Sequence, residues 1–582
     1  MVHSAKKIVL IGVMACVTTL CAVVTEGQSA EKAVGPEGLN YAGIYALRQG
    51  QPSLTGSGVK FAVVCRSITY VDGEPQNDYR PSTEHNCFKD KQFSFHDGGQ
   101  IPAGISPHST AICSILLGSD ANAFDSRPVQ FQYQGVAPAA EAEVYEFWHF
   151  LINNVFGQQP PDANIVIAGF GTQFPDWWTR GIEAMAEHHG VIITAAIGNG
   201  SDAYDPVLYP GAGANAIGVG VVDSVNSGEL STNLAHFSLA HPQHSSFGPT
   251  YDRRCKPDIV TAGNYLAADV NEPDNYEPTG NWSSFSVPTV AGAIGLLVQK
   301  AREDPNLSAA LSRAGGNCVM KAVLMNSAQK LPYWHKGRLE RDDDHAVPLD
   351  YVQGAGALDA VGAYAQLTAG QSGPGPVSTT GWDLNRLQKE RFFENVYKIS
   401  LAESTDKVIT ATVVWNKHYD TAYPFAARPE KDANLRLELW AVDHNDPNND
   451  YLLDYSDSEA DNVEHIYCRA DPNYTNYELV VSYSAIEDPN AMPASQRYGV
   501  AWNVDQPDIK DNLFWYDLNA DGIVDESDFG ILLTNLLKSI ESPESYLFGD
   551  INGNGVIDIN DLQILANHSG LKADWYKENN PQ

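Results

Sequence analysis

The first 370 residues alternate between short apolar runs and longer stretches with helical periodicity. Five runs rich in valine and isoleucine have the length and continuity of buried parallel strands. They are VKFAVV (59–64), NIVIAG (164–169), GVIITAA (190–196), NAIGVGVV (215–222) and KPDIVTA (256–262). Helical patterns lie between them: HSTAICSILLG (108–118), TRGIEAMAEHH (179–189) and SVPTVAGAIGLLVQKARE (286–303). The alternation predicts an α/β fold over residues 38–367, with helices flanking a parallel sheet.

The pattern changes after AGQSGPGPVSTTG (369–381), a linker rich in glycine, proline and serine. Three strand-like runs follow with no strong helix between them: KVITATVVWN (407–416), NLRLELWAV (434–442) and YELVVSYSA (477–485). This pattern predicts a β-sandwich over residues 378–505. Nothing in this segment is typical of catalysis, so we expect it to pack or bind.

The N-terminus has the layout of an export signal. Lys6 and Lys7 precede an apolar run over 8–24, after which the chain becomes polar. Residues 1–30 are therefore predicted to be a signal peptide of a secreted protein. An uncleaved membrane anchor is the competing interpretation, and Cys16 is a candidate for lipid attachment. No other segment is apolar enough to span a bilayer.

The composition narrows the class of partner. Apolar residues make up 43% of the 582 residues, which is enough for a sizeable core. The formal charge is −35, from 37 Lys+Arg and 72 Asp+Glu. Nucleic acids and anionic lipid need a cationic surface, so the charge argues against both as partners. The same charge suits an exported protein that binds calcium.

The C-terminal segment contains a tandem repeat, DLNADGIVDESD (517–528) and DINGNGVIDIND (550–561), spaced 33 residues apart. A calcium loop needs oxygen ligands at positions 1, 3, 5, 7, 9 and 12, with glycine at position 6. Gly522 and Gly555 occupy position 6. The ligands would be Asp517, Asn519, Asp521, Ile523, Asp525 and Asp528 in the first loop, and Asp550, Asn552, Asn554, Val556, Asp558 and Asp561 in the second. Ile523 and Val556 would bind through their backbone carbonyls. The alternative is a pair of turns rich in Asp and Asn.

Two features of this repeat resemble dockerin type I modules: Asp at position 12 and the spacing of the loops. The resemblance implies a small α-helical, EF-hand-like module over residues 511–570 that needs Ca²⁺ to fold. It also implies a cohesin domain as a partner.

Three stretches carry the chemistry: PHSTAICSILLG around His108, AAIGNGS around Asn199 and GNWSSFSVPTVAG around Ser284. Each alone is typical of a structural residue, such as a turn or a helix cap. In this order they resemble the subtilisin-like serine peptidases, the S8 family or subtilases. The third motif is the most specific, and further matches lie at 135–147, 245–263 and 319–328.

The resemblance implies a serine endopeptidase that acts on polypeptides. Ser284 would be the nucleophile and His108 the general base. Asn199 and the Ser284 backbone N–H would stabilise the oxyanion. Residues 168–171 match the segment that lines the substrate cleft in this family.

The position of the family's triad aspartate is occupied by Cys65, at the end of VKFAVVC. Three interpretations remain open. Asp72 or Asp78, in the following loop, could replace the carboxylate. The Cys65 thiolate could accept the histidine hydrogen bond. The site could also be impaired, leaving a pseudopeptidase that binds peptides or serves as a scaffold tethered by its tail.

Six cysteines lie outside the signal, and all six could pair in 15 ways. Pairing of Cys65 with Cys113 or Cys87 would place a redox-sensitive bond beside the base. Two further departures from the family motif are Ser109 and Trp282, which stand where the family has glycine. Both indicate altered specificity or a weakened enzyme.

Overall fold

The computed structural model of the chain describes residues 34–36, 38–65, 70–71, 74–75, 78–99, 103–124, 130–200, 206–224, 236–240, 245–330, 334, 336, 345–391, 393–405, 407–484, 493–505, 516, 523–534, 536–537, 545–547 and 556–571. The predicted signal peptide with Cys16, the candidate Asp72, and loop ligands Asp517, Asn519, Asp521, Asp550, Asn552 and Asn554 lie outside these residues.

Seven parallel strands form the centre of the first domain. Across the sheet they follow the order Phe93–His96, Glu141–Glu146, Lys60–Cys65, Ile165–Ala168, Ile192–Ala196, Ile217–Ser224 and Ile259–Ala262. The five predicted strands are all present. His236–Ala240 and Ser545–Leu547 extend the sheet by antiparallel pairing. The prediction of a parallel sheet flanked by helices is confirmed.

The central strand Lys60–Cys65 is buried on both faces because helices cover the sheet on each side. Side chains alternate along a strand, so Phe61, Val63 and Cys65 point into one core. Ala62 and Val64 point into the other. The first core also contains helices Pro107–Leu117 and Ser283–Glu303, called below the His108 helix and the Ser284 helix. Cys65 therefore faces the same side of the sheet as both helices.

Other helices complete the layers around the sheet. Trp177–His189 packs on the Ala62 face, and Gly316–Asn326 and Ala360–Thr368 belong to the opposite core. Shorter helical segments are Gly38–Tyr41, Ile44–Gly50, Asn86–Phe88, Phe147–Phe150, Leu151–Phe156 and Pro305–Leu311.

Small strands surround the sheet. They are Val34–Gly35, Tyr70–Val71, Glu74–Pro75, Asp78–Arg80, Gly104–Ile105, Ser119–Phe124, Gln130–Gln134, Leu266–Ala268 and Tyr276–Pro278. The last two pair with each other as a hairpin, which the sequence pattern did not predict.

Two sheets follow and share one core, and their strands pair antiparallel except for Gly375–Val377, which lies parallel to Glu394–Ser400. The five-stranded sheet has the order Gly375–Val377, Glu394–Ser400, Asn476–Tyr483, Leu435–Val442 and Tyr451–Ser456. The four-stranded sheet has the order Gly381–Gln388, Ser495–Asp505, Val408–Trp415 and Val463–Arg469. The loops between these strands contain two short helical turns, Pro429–Lys431 and Pro447–Asn449. The arrangement is a β-sandwich, as the pattern predicts.

Buried polar groups join the sandwich to the first domain. Asn462 Nδ2 donates to Ala214 O at 3.0 Å, and Asp461 accepts from Cys255 N at 2.7 Å. Thr412 Oγ1 donates to Asn326 Oδ1 at 3.1 Å. All three sandwich residues are buried. An unmade hydrogen bond costs about 1–3 kcal/mol at such a place, so these contacts hold the two parts in one orientation.

The C-terminal segment 511–570, called below the tail, contains two short helices, Glu526–Thr534 and Ile559–Asn567, besides the strand Ser545–Leu547. Each helix begins at the end of one of the predicted loops. Val524 N donates to Leu571 O and Gly570 N donates to Val524 O, so the two halves are joined by backbone hydrogen bonds. Within the described part of the chain, no helix is both long enough and apolar enough to cross a membrane.

Candidate active site

His108 lies in the first turn of the His108 helix. Ser106 caps this helix, because its hydroxyl accepts a hydrogen bond from Ser109 N at 3.2 Å. Pro107 occupies the first helical position, where a missing N–H costs little. The imidazole is half-buried, and its ring centroid lies 5.5 Å from that of Phe285. The cap thus places the histidine at the edge of the sheet.

Ser284 is the second residue of the Ser284 helix, at the positive end of the helix dipole. Its Oγ donates a hydrogen bond to Gly169 O at 2.8 Å. Among the described residues, no acceptor bonds the Ser284 backbone N–H, so this donor is available to a ligand in the cleft. The side chain itself is 8% exposed.

Gly169 separates the serine from the histidine. A Cβ atom placed on Gly169 would lie 3.0 Å from His108 Cε1 and 3.6 Å from Ser284 Cβ. The imidazole and the serine therefore flank the same backbone point. The Ser284 hydroxyl points to Gly169 O and makes no hydrogen bond to His108 in the described structure. A turn of Ser284 about its Cα–Cβ bond is needed before the hydroxyl can donate to the imidazole.

Asn199 is held by the residue that precedes Ser284. Ser283 N and Ser283 Oγ each lie 2.8 Å from Asn199 Oδ1. A backbone N–H can only donate, so the oxygen of the Asn199 amide must face Ser283 and the NH₂ must point elsewhere. Gly198 has φ of 116°, a conformation that other residues rarely adopt, and it turns the chain after the strand. The Asn199 NH₂ group is thereby left to the cleft.

The three predicted side chains line one cleft with a volume of about 650 Å³. Its lining consists of Pro107, His108, Ala111, Gly169, Phe170, Asn199, Ala267, Ala268, Val270, Glu277, Pro278, Thr279, Trp282, Ser284 and Phe285. Most of these are apolar. The cleft lies at the carboxyl edge of the sheet, where ligands bind in open α/β folds.

Burial is the main influence on the charge of His108. Loss of water around the ring lowers the pKa of His108 to about 4. No carboxylate among the described residues opposes this shift. The helix N-terminus acts in the same direction, because it disfavours a positive charge. The imidazole is therefore neutral at pH 7, which is the form that accepts a proton.

Cys65 does not supply the missing charge. Its side chain is 1% exposed, and burial raises the pKa of the Cys65 thiol to about 11. The burial therefore argues against the thiolate interpretation at neutral pH. Burial also raises the pKa of the Cys113 thiol well above its usual range, and Ser109 faces both thiols. All six described cysteines are free thiols, so Cys65 is bonded to neither Cys113 nor Cys87.

Asp78 does not replace the aspartate either. It lies in the strand Asp78–Arg80, and its carboxylate packs against Gly104. It makes no hydrogen bond to His108 among the described residues. The other candidate, Asp72, lies outside the described residues, so the proposal of a substitute carboxylate at that position stays a prediction.

The sequence indicated most of the cleft but not how it is held. Trp282 is 47% exposed and lines the cleft, consistent with the narrowing expected from its bulk. Ser283 was not predicted to be a site residue, although it is adjacent to Ser284 and carries a hydroxyl group. Phe285 and Glu277 were also missed. Nothing local in the sequence indicates Glu277, because the hairpin brings it to the cleft.

The C-terminal ends of the two predicted calcium loops have the same local geometry. Asp525 N donates to Asp528 Oδ2, and Asp558 N donates to Asp561 Oδ2, each at 2.8 Å. Asp528 and Asp561 are both fully buried. Buried carboxylates in a site with further oxygen donors fit a hard cation such as Ca²⁺. Ile523 and Val556 precede these groups at position 7.

An α/β domain with a serine at a helix N-terminus, a neutral histidine and an oriented amide around one cleft has the composition of a serine hydrolase site. The family model for the subtilase family matches residues 56–356, just over half of the chain. The chain belongs to the subtilase family of serine peptidases. A second model, the dockerin type I domain, matches residues 515–568. Domains of that type bind calcium and cohesin domains.

Replacing Gly169 by alanine tests the arrangement of the site. The new methyl group would meet Ile112 Cδ1 at 2.8 Å and His108 Cε1 at 3.0 Å, so the imidazole must shift. Misplacement of a catalytic group by about 1 Å costs up to roughly 10²-fold in rate. We expect Gly169→Ala to slow labelling of Ser284 by a fluorophosphonate about 10- to 100-fold without a large change in melting temperature.

The matched control is Gly373→Ala, because Gly373 has no atom near its would-be Cβ. That variant should react with the fluorophosphonate at the same rate as the unmodified chain. Equal rates for Gly169→Ala and Gly373→Ala would show that Gly169 does not position the imidazole.

Proposed function

We propose that this chain is a secreted serine endopeptidase that is slow because no carboxylate among the described residues pairs with its histidine. The observation that supports this most is the oriented Asn199 amide. It lines the same cleft as Ser284 and His108, and Ser283 holds its oxygen away from the cleft. Two donors, Asn199 Nδ2 and Ser284 N, are then available where an oxyanion would form.

The mechanism starts with rotation of the Ser284 hydroxyl from Gly169 O toward His108. The imidazole accepts the hydroxyl proton while Oγ attacks the carbonyl carbon of the peptide. The negative charge passes to the carbonyl oxygen, where Asn199 Nδ2 and Ser284 N donate to it. His108 then gives the proton to the leaving amine, and an acyl group stays on Ser284. Water hydrolyses that ester with His108 again acting as base.

The missing carboxylate affects the imidazolium formed in these steps. In relatives of this mechanism, neutralising the aspartate lowers kcat about 10⁴-fold. The oxyanion donors and substrate binding still give about 10³–10⁴ over the uncatalysed reaction. We therefore expect the kcat of this enzyme to lie between that of a peptidase with a complete triad and that of an inactive homologue. The Cys65 thiol fills the space beside the His108 helix but carries no charge at neutral pH.

A second candidate is a pseudopeptidase that holds extended peptides and is tethered by its tail. Two observations favour it. In the described structure the Ser284 hydroxyl is bonded to Gly169 O, and the imidazole has no hydrogen-bond partner. A peptide-binding cleft needs neither group to be reactive. The two candidates differ in one measurable property, which is the nucleophilicity of Ser284.

Restoring the aspartate distinguishes these functions. We expect the unmodified chain to react slowly with a fluorophosphonate and to cleave a denatured protein slowly. Cys65→Asp should raise kcat by about 10²–10⁴, because a carboxylate beside the imidazole stabilises the imidazolium. The measurement is kcat on a fluorogenic peptide, with thermal melting to confirm that each variant folds.

Cys65→Ser and Ser284→Ala are the controls. Cys65→Ser changes the size and polarity at the same site without adding a charge, so it should leave kcat near that of the unmodified chain. Ser284→Ala should abolish both labelling and cleavage. Failure of the unmodified chain and of Cys65→Asp to label would favour the pseudopeptidase.

The pH dependence should report the low pKa of His108. The base must be neutral to accept a proton, so kcat/KM falls as the pH falls through the pKa of the free enzyme. With that pKa at about 4, we expect half-maximal kcat/KM near pH 4 and a flat profile from about pH 5 to 8.

In Cys65→Asp the added negative charge favours the imidazolium, so the midpoint should move to higher pH. Circular dichroism at each pH separates this effect from unfolding. A midpoint that is the same in both proteins would show that residue 65 does not face the imidazole electrostatically.

We propose that the tail binds two Ca²⁺ ions and docks on a cohesin domain. Calcium would be held by the carboxylates and carbonyls of the two loops, among them Asp525, Asp528, Asp558 and Asp561. Bound calcium supplies positive charge to these carboxylates and fixes the loops against their helices. With no ion, the buried carboxylates of Asp528 and Asp561 lie in an unfavourable environment.

Removing calcium should unfold the tail and leave the rest folded. At a calcium concentration 100 times Kd, one site stabilises the folded module by about 2.7 kcal/mol. We expect a chelator to create a separate low-temperature transition in calorimetry of the full chain. Asp561→Asn should weaken calcium binding, whereas Asp90→Asn, at an exposed position outside the tail, should not. A calorimetric trace that is identical with and without chelator would contradict the calcium proposal.

A further inference from the structure

The hairpin Leu266–Ala268 and Tyr276–Pro278 forms one wall of the cleft. Ala267 lies opposite Glu277 in this antiparallel pair. Tyr276 is buried, with its ring stacked on Tyr133 at 4.4 Å and its hydroxyl donating to Asp120 at 3.0 Å. Neighbouring side chains on a strand point to opposite faces. Because Tyr276 anchors the closed face, Glu277 faces the open side, where it lines the cleft.

Glu277 is the one acidic residue among the described residues that line the cleft. Most of the wall is apolar, and the pKa of His108 keeps the imidazole neutral. Glu277 is exposed at the cleft wall, so water screens its charge in the empty cleft, and the charge acts more strongly on a ligand that covers the apolar wall and excludes water.

No cation in the described part of the chain neutralises Glu277. A second carboxylate, Asp269, lies close by, and together with burial it raises the pKa of Glu277. Asp269 is itself fixed by hydrogen bonds from Asn271 N at 2.8 Å and from Asn275 Nδ2 at 3.1 Å. Asp269 also interacts electrostatically with His85, whereas Glu277 faces no cation among the described residues, so the pair of carboxylates favours a positively charged ligand at Glu277.

The hairpin packs on the His108 helix, because Ala268 N donates to Ser114 Oγ at 3.2 Å. His108 returns its proton to the leaving amine in the proposed mechanism, so the leaving-group part of a peptide lies on the histidine side. Glu277 is thus placed to meet the residues that follow the cleaved bond.

We propose that Glu277 makes the cleft selective for a lysine or arginine side chain on the leaving-group side of the bound peptide. This inference rests on the proposed function, in that the same cleft takes the peptide. The carboxylate would pair with the basic side chain while the stem of that side chain covers the apolar wall.

The test compares peptides that differ at one residue after the cleaved bond, lysine against norleucine. Exposed ion pairs are worth up to about 1 kcal/mol and partly desolvated ones more, so we expect a preference of roughly five- to tenfold in kcat/KM at low salt. Glu277→Gln should remove the preference, and Glu277→Lys should favour a glutamate peptide. Glu272→Gln, at an exposed position on the same hairpin connection and outside the cleft lining, should keep the lysine preference. Raising the salt concentration should weaken the preference.

Binding of the same peptides to Ser284→Ala, measured by fluorescence anisotropy, separates this inference from the proposed catalysis. Cleavage without any lysine preference would overturn the role of Glu277 and leave the peptidase standing. Absence of cleavage, with a lysine preference in binding that Glu277→Gln removes, would support Glu277 and overturn the peptidase. Equal binding of lysine and norleucine peptides with no cleavage would overturn the inference.

Discussion

The site depends on the parallel alignment of the strands Lys60–Cys65, Ile165–Ala168 and Ile192–Ala196. Ala168 is paired with Val64 on one side and with Ala195 on the other. The strands are buried on both faces, so every backbone hydrogen bond between them must be made and a slip in register would be costly. This register brings the chain after each strand to the same edge. Gly169 and Asn199 reach the cleft for that reason, and Cys65 ends its strand at the same edge.

The cleft is better suited to stabilise a negative charge on a bound substrate than a positive charge on the imidazole. In the proposed mechanism, the Asn199 amide that would donate to the oxyanion is held in place by backbone and hydroxyl contacts from Ser283, and a helix N-terminus adds a favourable potential. The proton acceptor has no comparable support, because burial destabilises the imidazolium and the neighbouring thiols are neutral. In the proposed mechanism, the negative charge on the carbonyl oxygen is therefore stabilised better than the positive charge on the His108 imidazolium. A peptide with its own positive charge would meet a cleft whose only described fixed charge is negative.

The remaining parts of the chain act at a distance from this chemistry. The sandwich holds its place through buried polar atoms that enter the first domain, such as Asn462 on Ala214 and Asp461 on Cys255. These bonds are directional and lie away from water, so they fix orientation more than they add free energy. The tail contains two short helices, each with one buried carboxylate, Asp528 in the first and Asp561 in the second.

The sequence by itself determined five of the seven parallel strands, the two helices that carry His108 and Ser284, and the identity of the three side chains in the cleft. Periodicity and local motifs encode these features because each depends on a few consecutive residues. Tertiary structure alone decided that the Cys65 thiol is buried, that Asp78 packs on Gly104, and that Ser283 orients Asn199. It also decided that Glu277 enters the cleft, since a hairpin of irregular sequence carries it there. Burial, the pKa values and contacts between distant residues arise only when the whole chain has excluded water, and no local pattern contains that information.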